Sequence, residues 1–141
     1  MTAEITQNLT AFKPQVLHVA YHVMDIDRSL DFYVGALGMT EQLRLPLGKG
    51  LHEVILAFPE NKSAGVILMW NTERSKTTPI TLGEGYSRCV LRVSDVDAAF
   101  AHLVQREAPV ITTPTAYRDF KFAMVKDPDG YVIELIQFLR A

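Results

Sequence analysis

The chain has 141 residues, 48% of them hydrophobic and 21% charged, which is enough apolar content for one globular unit, or two small halves, around a sizeable core. A formal net charge of −2 offers no basic excess for a phosphate backbone, and no apolar run approaches bilayer-spanning length, so nucleic acid and membrane are poor partners. Cys89 is the single cysteine, which rules out an internal disulfide, and its place in the apolar run CVLRV marks a packed thiol rather than a nucleophile.

The opening residues, MTAEITQNLTAFK, lack the basic start and apolar stretch of a secretory signal, so the expected location is the cytoplasm. Residues 1–14 read as an extension ahead of the first structured unit. From His18, HVAYHVMDIDRSLDFYV reads as a strand, a capped turn and a helix. Asp25 caps it, Ile26, Leu30, Tyr33 and Leu37 recur at helical spacing, and Gly38 ends it. Three strand-like runs follow: MTEQLRL, LHEVILAF and GVILMWN.

A polar stretch, NTERSKTTPITLGEG, then breaks the pattern, with residues 73–84 as the linker proper. From Arg88, RCVLRVSDVDAAFAHLV repeats the opening plan at an offset of 88 − 18 = 70. Asp95 caps the second helix, Val96, Phe100 and Leu103 form its stripe, and Pro109 stops it. The runs PVITT, YRDFKFAMV and YVIELIQF complete the copy, with the turn signal DPDG before the last. The chain is therefore expected to hold two βαβββ modules, residues 15–72 and 85–141. Matching Val66 and Ile67 to Val132 and Ile133, at 132 − 66 = 66, puts Leu68 opposite Glu134.

Glu134 is the anomaly of that last strand. It stands among Tyr131, Val132, Ile133, Leu135, Ile136 and Phe138, where an unpartnered carboxylate costs several kcal/mol to bury. A partner or a chemical role is required.

Three segments, LHVAYHVMDIDRSLDFYVGALGM, LGEGYSRCVLRVSDVDAAF and DPDGYVIELIQF, resemble the vicinal oxygen chelate superfamily. That family includes glyoxalase I, extradiol dioxygenases, methylmalonyl-CoA epimerase and the fosfomycin and bleomycin resistance proteins. The resemblance runs from about Val16 to Phe138. It implies an α+β fold in which paired βαβββ modules curl into a cup-shaped, barrel-like mixed sheet around a divalent metal, with ligands from the first and last strand of each module. It also implies a homodimer, in some members with each cup built from both chains.

Carried over by position, the metal-binding histidine and glutamate of glyoxalase I fall on His18 and Glu134, which match. The other two ligand positions fall on Arg88 and on Ile67 or Leu68, which do not. Two donors and a cation imply no metal or a weakly bound divalent ion, with His22 and His52 as candidate further ligands. Glu134 reads either as a catalytic base or as a buried partner of Arg88, and His18 as a second site residue or a core histidine. Arg88, Trp70, Asn71, His52 and Phe58 are the candidate substrate-binding residues, Asn71 because it matches an asparagine that touches glutathione in glyoxalase I. Trp70, Phe58 and Met69 read equally as core, and His102 as solvent-facing.

Three functions remain open. The first is lyase- or isomerase-type proton transfer on a small molecule, with Glu134 as general base and Arg88 clamping a carboxylate or enediolate oxygen. The second is a metal-free protein of the bleomycin-resistance type that only holds an acidic or zwitterionic ligand. The third is a metal-dependent lactoylglutathione lyase with unusual ligands. All three expect His18, Arg88 and Glu134 to face one buried cavity.

Overall fold

The computed structural model describes residues 11–140, so most of the expected 1–14 extension lies outside the described residues. Each module forms one four-stranded sheet. The first contains β1 (His18–His22), α1 (Ile26–Leu30), a π-helical segment (Asp31–Ala36), β2 (Thr40–Gly48), β3 (Leu51–Phe58) and β4 (Asn61–Asn71). The second contains β5 (Cys89–Arg92), α2 (Val96–Gln105), β6 (Val110–Tyr117), β7 (Phe120–Lys126) and β8 (Val132–Phe138). The strand orders are β1-β4-β3-β2 and β5-β8-β7-β6, with the first and last strand of each module parallel and the rest antiparallel.

Local chemistry explains the boundaries. Asp25 accepts the Asp27 and Arg28 N–H groups and Asp95 accepts that of Ala98, capping the two helices. The first helix widens at its end, where the Leu37 N–H reaches back five residues to the Phe32 carbonyl at 2.9 Å. This widening turns Phe32 and Ala36 toward the core beside Tyr33, while Leu30 and Leu37 of the expected stripe pack against it half-buried. The second helix ends at Gln105, short of Pro109. The run YRDFKFAMV is not one strand, because Arg118, in the left-handed region at φ 54°, and Asp119 turn β6 into β7. Pro46 and Pro114 lie in β2 and β6, outer strands with one unpaired edge where a missing N–H is tolerated. At Gly65 an added Cβ would fall 2.0 Å from the Leu56 carbonyl oxygen, so only glycine allows the close approach of β3 and β4 there.

The sheets do not close into one barrel. Their helix-covered faces instead share a single core, built from Tyr21, Tyr33, Val54, Leu56, Leu68, Leu103, Ile133 and Leu135 among others. The DPDG turn is the clasp between the modules. Asp129 accepts the Met24 N–H at 3.0 Å and the Ser29 hydroxyl at 3.3 Å, and pairs with Arg28 at 3.3 Å. Asp127 accepts the Tyr33 hydroxyl at 2.6 Å, and Tyr131 donates its own to the His22 carbonyl at 2.7 Å. Ser29 is fully buried because Asp129 accepts from it, a role that apolar periodicity does not reveal.

Candidate functional site

Strand alternation assigns each side chain to a face, and pairing register fixes its neighbours. On the face away from the shared core, β1 carries His18, Ala20 and His22, and β5 with its preceding residue carries Arg88, Val90 and Arg92. Ala20 pairs with Ile67 and Val90 pairs with Glu134. Ala20 and Val90 are related by the repeat, 90 − 20 = 70, so the counterpart of Glu134 is Ile67. Leu68, expected opposite Glu134, is fully buried on the other face. The sequence match at offset 66 was one residue off, and the register gives 134 − 67 = 67.

Glu134 is 8% exposed. Arg88 reaches it with Nε 3.5 Å from Oε2, and the Arg88 side chain keeps 43% of its surface in solvent. The contact is an ion pair without hydrogen-bond geometry, and no described residue donates a hydrogen bond to the carboxylate. Val90 and Met124 flank Glu134 in the ladder, giving the carboxylate an apolar wall on both sides.

His18 is half-buried and His22 exposed on the corresponding face of the first sheet. Within one chain the two open faces belong to separate sheets, and the expected common cavity is not formed. A cavity of about 590 Å³ does lie between the modules, but Met39, Phe58, Val66, Leu91, His102 and Leu135 are among its walls, and His18, Arg88 and Glu134 are not.

Five other residues singled out in the sequence are placed as follows. Trp70 packs against the core on the face opposite His18, and His52 stacks on it at 5.3 Å, with Arg44 over the indole at 5.4 Å. Neither side chain faces His18 or His22, which removes His52 as a further ligand. Phe58 lines the inter-module cavity. His102 is exposed, as expected, and its Nε2 lies 2.9 Å from the Ala36 carbonyl across the module boundary. Asn71 shares the face of Ile67 and Met69 but accepts the Glu73 N–H at 2.9 Å, closing the turn after β4.

The buried polar groups cluster at the clasp. Burial pushes the Asp127 carboxyl up to about 6, against the opposing pull of hydrogen bonds from Tyr33, Tyr131 and Asp129. Burial also raises the Tyr21, Tyr33 and Tyr86 hydroxyls and the Cys89 thiol, so Cys89 is held as the inert thiol its strand suggested.

A divalent metal does not fit this donor set. The four positions at the strand centres and edges hold His18, Ile67, Arg88 and Glu134: one imidazole, one hydrocarbon, one cation and a carboxylate already paired with that cation. Among the described residues no three His, Cys, Asp or Glu side chains converge to hold an ion.

Residues 15–135 match the profile of the glyoxalase/bleomycin resistance protein/dioxygenase superfamily, and the chain belongs to that family. It is 35% identical over 133 residues to a probable lactoylglutathione lyase of Vibrio parahaemolyticus, covering 87% of this chain and 90% of the relative. Among solved structures it is similar to the trypanothione-dependent glyoxalase I of Leishmania major, with a TM-score of 0.75 at 30% identity over 88% of this chain and 86% of the other. It is similar also to TnmS3, an antibiotic binding protein from a Streptomyces species, with a TM-score of 0.66 at 29% identity over 89% of this chain and 96% of the other. Against a glyoxalase I variant of Zea mays the TM-score is 0.78 at 26% identity over 90% of this chain, which spans about half (45%) of the maize protein. No helix among the described residues is long and apolar enough to cross a membrane.

Proposed function

We propose that the protein catalyses glyoxalase-I-like proton transfer, of lyase or isomerase type, on a small acidic molecule, with Glu134 as the base. The observation that carries this reading is the state of Glu134: nearly buried, and among the described residues touched by one guanidinium and hydrogen-bonded to none through its oxygens. Glu134 takes a proton from a carbon next to a carbonyl. The C–H electron pair becomes the new C=C bond, the carbonyl π pair moves onto oxygen, and Arg88 faces that oxygen's negative charge. Where the reacting carbon carries a hydroxyl, that hydroxyl's proton passes to the oxyanion, its O–H electron pair forms the new C=O, and the C=C pair takes the proton back from Glu134 at the former carbonyl carbon, so the isomer forms and no oxidant or co-reactant is consumed.

His18 is the second catalytic group in this reading, a hydrogen-bond partner for the substrate oxygens. Because no described residue of one chain covers either sheet's open face, the reading includes a homodimer in which the His18 face of one subunit meets the Glu134 face of the other. The exposed apolar side chains on and beside the unpaired edges, Val19 and Val90 among them, support it. The test is to follow formation of lactoylglutathione from glutathione and methylglyoxal, with and without added nickel or zinc. Metal-independent turnover that Glu134→Gln abolishes supports the proposal, and turnover only with added metal favours the metal-dependent lyase.

A second reading, a metal-free binding protein, is supported by the likeness to the antibiotic binding protein TnmS3 and by the donor set, which suits charge recognition better than metal binding. Ligand-induced stabilisation without any chemical change would favour it.

A further inference from the structure

The ladder around Glu134 places more charge on this face than Arg88 alone. Lys126 pairs with Val132 across β7 and β8, and Arg88, one residue before β5, continues that strand's alternation beside the same Val132. With strands about 4.8 Å apart, Arg88 and Lys126 stand about 10 Å from each other across Val132, in the row next to Glu134. Arg92 pairs with Ile136 in the row on the other side of Glu134. Glu134 therefore sits between a row bearing Arg88 and Lys126 and a row bearing Arg92.

The partners of these cations differ. Arg88 contacts Glu134, whereas Arg92 lies over the half-exposed Phe138 ring at 4.9 Å, and Lys126 has no acidic partner among the described residues. Arg92 likewise forms no ion pair there. Val90, Val132, Ile136 and Met124 fill the space between. Three cations against one carboxylate leave an excess of two positive charges on an otherwise apolar surface. The first module's equivalent face carries His18, His22 and Glu53. The excess belongs to the side that holds the candidate base.

We propose that Lys126 and Arg92 are specificity-determining residues, and that the ligand of this face carries at least two acidic groups set apart from its reacting carbon. In this arrangement Arg88 meets the oxygen beside the reacting carbon, while Lys126 and Arg92 hold peripheral carboxylates or phosphates, and the apolar strip accepts the connecting chain. The proposal rests on reading this face as the site, and it deepens that reading by fixing the charge class of the substrate.

The experiment uses glutarate, a dianion, and butyrate, a monoanion of similar length, titrated into ¹⁵N-labelled full-length protein at constant ionic strength. Glutarate should shift the amides of β5, β7 and β8 and bind about tenfold more tightly than butyrate. Lys126→Ala and Arg92→Ala should each weaken glutarate about five- to tenfold, Lys126→Arg should stay within about twofold, and the hairpin variant Lys62→Ala should change nothing. Equal binding of the two probes, or unchanged glutarate affinity in Lys126→Ala, overturns the proposal even where Glu134→Gln abolishes turnover. Charge-selective binding that depends on Lys126, in a protein that turns over no carbon acid, sustains the proposal while the enzymatic reading falls.

Discussion

Tyr33 and Asp127 are 94 residues apart in the chain and 2.6 Å apart in space, hydroxyl to carboxylate, at the seam between the modules. Asp127 is 2% exposed, and its carboxyl is raised by burial to about 6 from an ordinary 3.8. A raised folded-state value means that the native protein binds this proton more tightly than the unfolded chain. Asp127 therefore favours folding most below about pH 4, and this contribution is lost as the pH rises through 6. Native stability attributable to this group should increase by about 2–3 kcal/mol between pH 7 and pH 4. Urea titrations across that range check it. The increment should vanish in Asp127→Asn, and its midpoint should move upward in Tyr33→Phe, which removes a bond that favours the ionised form.

The register of β1 with β4 predicts opposite outcomes for neighbouring residues. Leu68→Ala should cost about 2–5 kcal/mol, since Leu68 is fully buried in the core. Ile67→Glu, on the open face, should be tolerated. Combined with Arg88→His, Ile67→Glu brings four donors together with His18 and Glu134 across the proposed dimer and should create zinc or nickel affinity there, readable by metal analysis and by stabilisation on metal addition. Arg88→His with Leu68→Glu should bury a carboxylate in the core and unfold the protein.

Much of this architecture is legible in the sequence. The two D-x-D helix caps and the 70-residue repeat specify both modules, and DPDG marks the turn before β8. What escapes sequence reading is what depends on a single-residue register. Val66-Ile67 and Val132-Ile133 look alike as letters, yet the backbone sets Val66 beside Val19 and Ile133 beside Cys89, and one residue of slip moves every side chain to the other face. The same parity sends His52 and Trp70 away from His18. Arg92 and Lys126 were within reach, because Arg92 follows Arg88 by two alternations and Lys126 immediately precedes DPDG. Their common row structure with Glu134 appears only once β7, β8 and β5 are aligned.

If each site draws on two subunits, inactive variants should complement each other. His18→Ala and Glu134→Gln homodimers should both be inactive. A refolded equimolar mixture should recover about one quarter of wild-type activity, because half the dimers are mixed and each holds one intact site. A site confined to one chain gives no recovery. Turnover of the mixture against its parents, with dimer formation verified by sedimentation, decides the matter.

The central claim is that Glu134 moves the proton. The most direct measurement is solvent deuterium incorporation and turnover with Glu134→Gln, alongside the wild type and a stability measurement on both. The variant keeps the shape of the side chain and should remain folded, since the Glu134–Arg88 contact is an ion pair whose cationic partner is partly exposed to solvent. The account predicts that Glu134→Gln loses turnover by at least about a hundredfold, consistent with removal of a general base, with stability changed by no more than about 1 kcal/mol. Full turnover by folded Glu134→Gln would contradict it.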